Sequence, residues 1–95
     1  MIYSVSVTLY EELKSRLMDA VGDRPYFSGS ISFAYEQMSC RLVVSCFVRH
    51  KVLEAPEGRF LQVTDCLPVW WEFHTEEGAV ELLNDFSFNT LRELF

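Results

Sequence analysis

The chain has 95 residues, 49% of them hydrophobic and 23% charged, with a net charge of −6. That balance excludes a disordered or low-complexity chain, and the length suits one domain over residues 1–95 whose core needs no staple. No stretch approaches about 18 uncharged apolar residues, and no basic region precedes an apolar block in Met1–Val7, so neither a membrane span nor a secretory signal is expected.

Residues 2 to 7 alternate, with Tyr3, Val5 and Val7 on one face, as a half-buried strand requires. Thr8 and Glu11 then have the spacing of a capping box. Leu9, Leu13, Leu17, Ala20 and Val21 follow at helical spacing, and Gly22 suits a left-handed C-terminus. An amphipathic helix is therefore predicted over 9–21. Asp23-Arg24-Pro25 breaks the chain, and from Phe27 the period becomes two. Phe27, Gly29, Ile31, Phe33 and Tyr35 share an apolar face, opposite Ser28, Ser30, Ser32 and Ala34.

The run Cys40–Leu53 places Leu42, Val44, Cys46, Val48 and Val52 inward. In the next run, Phe60–Thr75, the inward set is Leu61, Val63, Leu67, Val69, Trp71 and Phe73, interrupted by Asp65. Ala55-Pro56-Glu57-Gly58 has turn chemistry and predicts Glu54 opposite Arg59, Val52 opposite Leu61, Cys46 opposite Leu67, Val44 opposite Val69 and Leu42 opposite Trp71. A loop at Thr75-Glu76-Glu77-Gly78 would pair His74 with Ala79, Phe73 with Val80 and Trp71 with Leu82, making 79–84 a last strand. A loop at Glu36–Ser39 would pair Phe33 with Leu42 and Ile31 with Val44. Ser87 is a candidate N-cap, and Phe86 and Leu91 are spaced as a hydrophobic staple, so 88–95 reads as a closing helix.

The expected architecture is α+β: strand, helix, four-stranded antiparallel meander, helix, with the first helix packed on the sheet. In outline this resembles the cystatin-like architecture, although that family's Gln-x-Val-x-Gly loop has no counterpart beyond the fragment Gln62-Val63-Thr64. The helix–three strands–helix part also looks like a double-stranded-RNA-binding domain. That family needs a basic helix N-terminus, and the last helix here has only Arg92.

The charge is uneven. Residues 1–64 carry equal numbers of acidic and basic groups, so the whole −6 falls in 65–95. No basic cluster exists, which argues against nucleic acid as a partner. Glu72, Glu76, Glu77, Glu81 and Asp85 form the candidate acidic surface, suited to a basic partner or to imitating phosphates. Three cysteines, Cys40, Cys46 and Cys66, without metal spacing, read as buried free thiols of a cytoplasmic protein. No phosphate loop, nucleophile elbow or metal motif is present, so no cofactor, no metal and no catalysis are expected. His50 should lie inward opposite Val63, satisfied by a carboxylate, and His74 should be solvated. Glu72 would be flanked by Arg41 and Glu81 as an exposed ion pair.

One feature stands out. The predicted register puts Val43 opposite Trp70, Trp70 opposite Leu83, and Phe47 beside Cys66, an apolar strip on the outer face of the meander. Val43, Phe47, Trp70 and Leu83 are the candidate interaction patch. The favoured expectation is that the closing helix covers it, the alternative that a second copy does, as a homodimer. The chain thus reads as a small protein-interaction module. An acidic inhibitor is one alternative, and a ligand binder or enzyme using a helix–sheet cavity lined by Phe33, Trp71 and Phe73 is another.

Overall fold

The computed structural model describes residues 2–95. Its elements are β1 (Ile2–Tyr3), α1 (Val7–Val21), β2 (Tyr26–Tyr35), β3 (Met38–Ala55), β4 (Gly58–Glu77), β5 (Val80–Asn84) and α2 (Phe88–Arg92). They form a small α+β fold with one five-stranded sheet in the order β1-β5-β4-β3-β2, antiparallel except where β1 joins β5.

The first helix begins two residues before its predicted start. Ser6, not Thr8, is the cap: its hydroxyl accepts from the Leu9 N–H at 3.1 Å. The preceding chain is anchored from afar, because Asp85 accepts from the Val5 N–H at 2.7 Å. Alternation in 2–7 therefore yields only a two-residue strand. Leu9, Leu13, Leu17 and Val21 form a fully buried stripe against the sheet, and Gly22 ends the helix at φ 56°.

Each hairpin differs from its sequence reading in an instructive way. Between β2 and β3 the loop is only Glu36-Gln37, both at positive φ (47° and 68°), the backbone of a type I′ turn. Phe33 thus meets Cys40 rather than Leu42, and Ile31 meets Leu42 rather than Val44. The two-residue shift keeps every side chain on its predicted face.

Between β3 and β4 the predicted pairs hold from the turn to His50–Val63. Two bulges then intervene, with Thr64 and Val69 as the extra residues. Each reverses the alternation of β4. Cys66 consequently turns inward and is fully buried, while Leu67 turns outward opposite Phe47. Between the bulges Cys46 meets Pro68, and beyond the second the faces are as predicted but the partners have moved: Val44 meets Trp71 and Leu42 meets Phe73. Pro68, which cannot donate to the ladder, sits beside a bulge.

Between β4 and β5 the loop is Gly78-Ala79, with Gly78 at φ 64°, which moves the register by four residues. Thr75, assigned to the loop by sequence, is instead a fully buried strand residue opposite Leu82. Its hydroxyl donates to the Leu82 carbonyl at 3.0 Å and accepts from Asn84 Nδ2 at 3.2 Å, which makes its burial tolerable. The expected pairs His74–Ala79, Phe73–Val80 and Trp71–Leu82 do not form.

The closing helix does not cover the Trp70 face. It lies on the same side of the sheet as α1, with Phe88 and Leu91 in the core. Ser87 caps it as predicted, accepting from the Thr90 N–H. The Tyr10 hydroxyl accepts from the Ser87 N–H at 2.9 Å, Trp71 packs on Phe88, and Phe73 on Phe86. Arg92 donates twice to Asp65, at 2.7 and 2.8 Å, tying the helix to the first bulge. Trp71 faces inward, so the adjacent Trp70 points to the other side of the sheet.

Because β2 reaches only to Phe47, the far half of β3 and β4 projects as a two-stranded arm, and the molecule measures 49 × 26 × 20 Å. His50 lies at the base of the arm. Its Nε2 donates to the Gly22 carbonyl at 2.9 Å, so its partner is the end of α1 rather than a carboxylate.

Candidate functional site

The outer face of the sheet is built by alternation. Side chains next to the core residues Leu42, Val44 and Cys46 must point away from α1, and neither helix lies on that side. The rungs there run Tyr26–Phe47–Leu67, Ser28–Ser45–Trp70, Ser30–Val43–Glu72 and Ser32–Arg41–His74. The small serines of β2 leave the middle strands open, and Ser28 and Ser45 share a hydroxyl hydrogen bond of 2.8 Å.

Of the predicted patch, Phe47 and Trp70 lie on adjacent rungs and are 55% and 50% exposed. Val43 is half-buried and faces Glu72, not Trp70. Leu83 is 73% exposed but sits beside Ile2, where β5 meets β1, and is not opposite Trp70. Cys66 leaves the patch for the core. Tyr26 takes its place: 43% exposed, its ring centroid lies 5.1 Å from that of Phe47. Leu67 completes the cluster. Tyr26 was legible only as the residue beyond a breaker. Leu67 required knowledge of the bulge, for which Pro68 in mid-strand is the one signal in the sequence.

The carboxylates do not form one free surface. Asp85 is engaged by the Val5 N–H and by the Ser4 hydroxyl. Glu77 stands at the β4–β5 turn, and Glu76 faces Glu81 across the two strands. Glu72 and Glu81 both grip His74, whose Nε2 donates to Glu72 at 2.9 Å and Nδ1 to Glu81 at 2.7 Å. Two donated hydrogen bonds describe an imidazolium. The hydrogen bonds to Glu81 and then Glu72 raise its pKa above the ordinary histidine value. His74 is thus a tie between β4 and β5 rather than a solvated residue, and Glu72 pairs with it, not with Arg41.

Among the described residues no group of three or more His, Cys, Asp or Glu side chains is arranged to hold a metal ion, and no helix is long and apolar enough to cross a membrane. Of the cavity residues foreseen by sequence, Trp71 and Phe73 pack on Phe88 and Phe86, while the Phe33 ring lies under the Arg16 guanidinium. A groove of about 600 Å³ lies elsewhere, between the end of α1 at Met18–Asp23 and the arm at Leu53 and Phe60–Val63. No family model matches the chain, and neither a curated protein nor a solved structure is found to be similar to it.

Proposed function

We propose that this chain is a protein-interaction module that acts by contact, without catalysis, through the outer sheet face around Tyr26, Phe47 and Trp70. One observation carries the reading: three aromatic side chains stand together, each about half exposed, on a face that neither helix covers. A water-facing side of an antiparallel sheet is normally polar, and Ser28, Ser30 and Ser32 follow that rule. The neighbouring aromatics depart from it. Burying each against a partner contributes about 1.5–3 kcal/mol before association costs, and tryptophan and tyrosine are favoured anchors. A second copy is the simplest partner, because the same face on each chain satisfies a two-fold contact.

On this reading residues 1–95 form one domain, cystatin-like in outline, working in a reducing cytoplasm, the setting in which Cys40, Cys46 and Cys66 are free thiols at rest. Binding of a basic partner by mimicry of phosphates draws less support, because Glu72, Glu81 and Asp85 are committed to partners within the chain.

Site-specific photocrosslinking tests the proposal. A photoreactive aromatic residue replacing Phe47 should crosslink to protein, one replacing the exposed Glu11 of α1 should not, and Trp70→Glu should abolish the first product. Equal crosslinking from both positions would overturn the outer-face reading. Mass spectrometry of the product distinguishes a second copy from another protein.

A further inference from the structure

The two bulges of β4 have a chemical consequence on the inner face. Without them, alternation puts Cys66 on the outer face, away from Cys46. With them, Cys66 lies opposite Val48 and Cys46 opposite Pro68, so the two cysteines are diagonal neighbours on adjacent strands, both turned inward and both fully buried. The neighbouring Cys46 thiol, followed by burial, holds the Cys66 thiol above its ordinary pKa. Cys40 lies six residues from Cys46 on the same strand, roughly 20 Å along it. A disulfide requires Cα atoms within about 7 Å, so Cys40 is no competitor.

We infer that Cys46 and Cys66 are a redox-modification site: hydrogen peroxide converts them to an intrachain disulfide that staples β3 to β4 at the foot of the arm. In the first step the Cys46 sulfur, deprotonated when it reacts, attacks one peroxide oxygen. The O–O bond breaks, hydroxide leaves, and Cys46 becomes a sulfenic acid. In the second step the Cys66 sulfur attacks the sulfenic sulfur, the S–O bond breaks, and the Cys66 proton leaves with the oxygen as water. The sum is two thiols and one peroxide giving one disulfide and two waters, the thiols oxidised and the peroxide reduced.

Three features favour closure over further oxidation. Cys66 is the diagonal neighbour of Cys46 on the adjacent strand, so the second step has the advantage of an intramolecular reaction. The pocket is part of the packed core, which leaves little space for a second peroxide. The strand edge of β4 is uncovered by β5 at this level, since β5 pairs only with Thr75–Glu77, so a small oxidant needs only a local opening to enter. The product closes a loop of about twenty residues, which shifts the folding equilibrium toward the native state by roughly 250-fold on the chain-entropy model.

The test is mass spectrometry of the folded full-length chain treated with hydrogen peroxide under native conditions. The expected result is a loss of about 2 Da, reversed by dithiothreitol, with a single linked peptide pair joining residues 46 and 66. Cys40→Ser should leave the reaction unchanged, and Cys66→Ala should abolish the 2 Da loss. Peptide mapping of the unsubstituted chain decides the matter even if a core variant fails to fold. A link involving Cys40, oxygen added to Cys46 or Cys66 without a crosslink, or reaction seen only after full denaturation would each overturn the inference.

Discussion

Val43 and Val44 are neighbours on β3, yet Val44 is fully buried and Val43 is not; three residues on, Cys46 is sealed and Phe47 is 55% exposed. The strand backbone treats both faces alike. What differs is the cover: α1 and α2 both lie on one side, and water meets the other. Residue type therefore follows burial on the inner face and departs from it on the outer face. A mismatch of that kind, large aromatics where serine or arginine would serve, is the property from which a contact surface is inferred. Substitutions on either side should behave accordingly.

The largest effect belongs inside. Leu42→Ala removes a side chain with no exposure, in the same buried cluster as the α1 stripe, and should cost about 2–5 kcal/mol in urea denaturation. Thr75→Val keeps the shape but removes the donor to the Leu82 carbonyl and one of the two acceptors of Asn84 Nδ2 in the interior, and should cost about 1–2 kcal/mol. Phe47→Ser, on the opposite face, should cost no more than about 1 kcal/mol in the same experiment while removing association through the outer face. A loss comparable to that of Leu42→Ala would show that the outer face is also core.

Two smaller tests concern the ends of the sheet. Gln37 is held at φ 68° in the β2–β3 turn, so Gln37→Gly should stabilise the chain by about 0.5–1 kcal/mol, read as a higher urea midpoint with unchanged slope. His74 provides the smallest effect. Its folded pKa is raised, so its contribution is complete below the ordinary histidine value of 6.5 and disappears as pH rises through the folded value. Stability should fall over that window, and His74→Gln should flatten the profile. Asp65 has the opposite sign: Arg92 depresses its pKa, so its contribution is present above the ordinary carboxylate value and disappears as pH falls through the folded one.

The reading of β4 shows where pattern stops being informative. Leu67 and Val69 fit the apolar alternation, and a regular ladder would have placed both inward. The chain instead inserts Thr64 and Val69 as extra residues, with the Thr64 hydroxyl donating to the Arg49 carbonyl at 3.3 Å and Asp65 gripped by Arg92. Nothing local to residues 60–75 requires this except Pro68. The partner of Asp65 comes from a helix 27 residues away, and alternation cannot anticipate such a contact. The same holds for His74: the predicted register set Glu81 opposite Glu72, whereas the four-residue change sets it opposite Glu76, with His74 bonded to both Glu72 and Glu81.

Local chemistry was enough to identify the elements: the stripe of Leu9, Leu13 and Leu17, the period of two from Phe27 onward, the turn around Pro56 and Gly58, and the Ser87 cap all act within a few residues of themselves. Phe47 and Trp70 were recognisable as outward-facing for the same reason. Which side the closing helix takes was decided only in three dimensions, because Phe88 and Leu91 could bury their surface against either face of the sheet. The space beside Tyr10, Trp71 and Phe73 on the inner side is what accepts them. Tertiary packing likewise set the bulges that bring Cys66 to Cys46 and Leu67 to Phe47. A register shift exchanges one set of ladder hydrogen bonds for another of similar energy, so the sum of distant contacts selects among them.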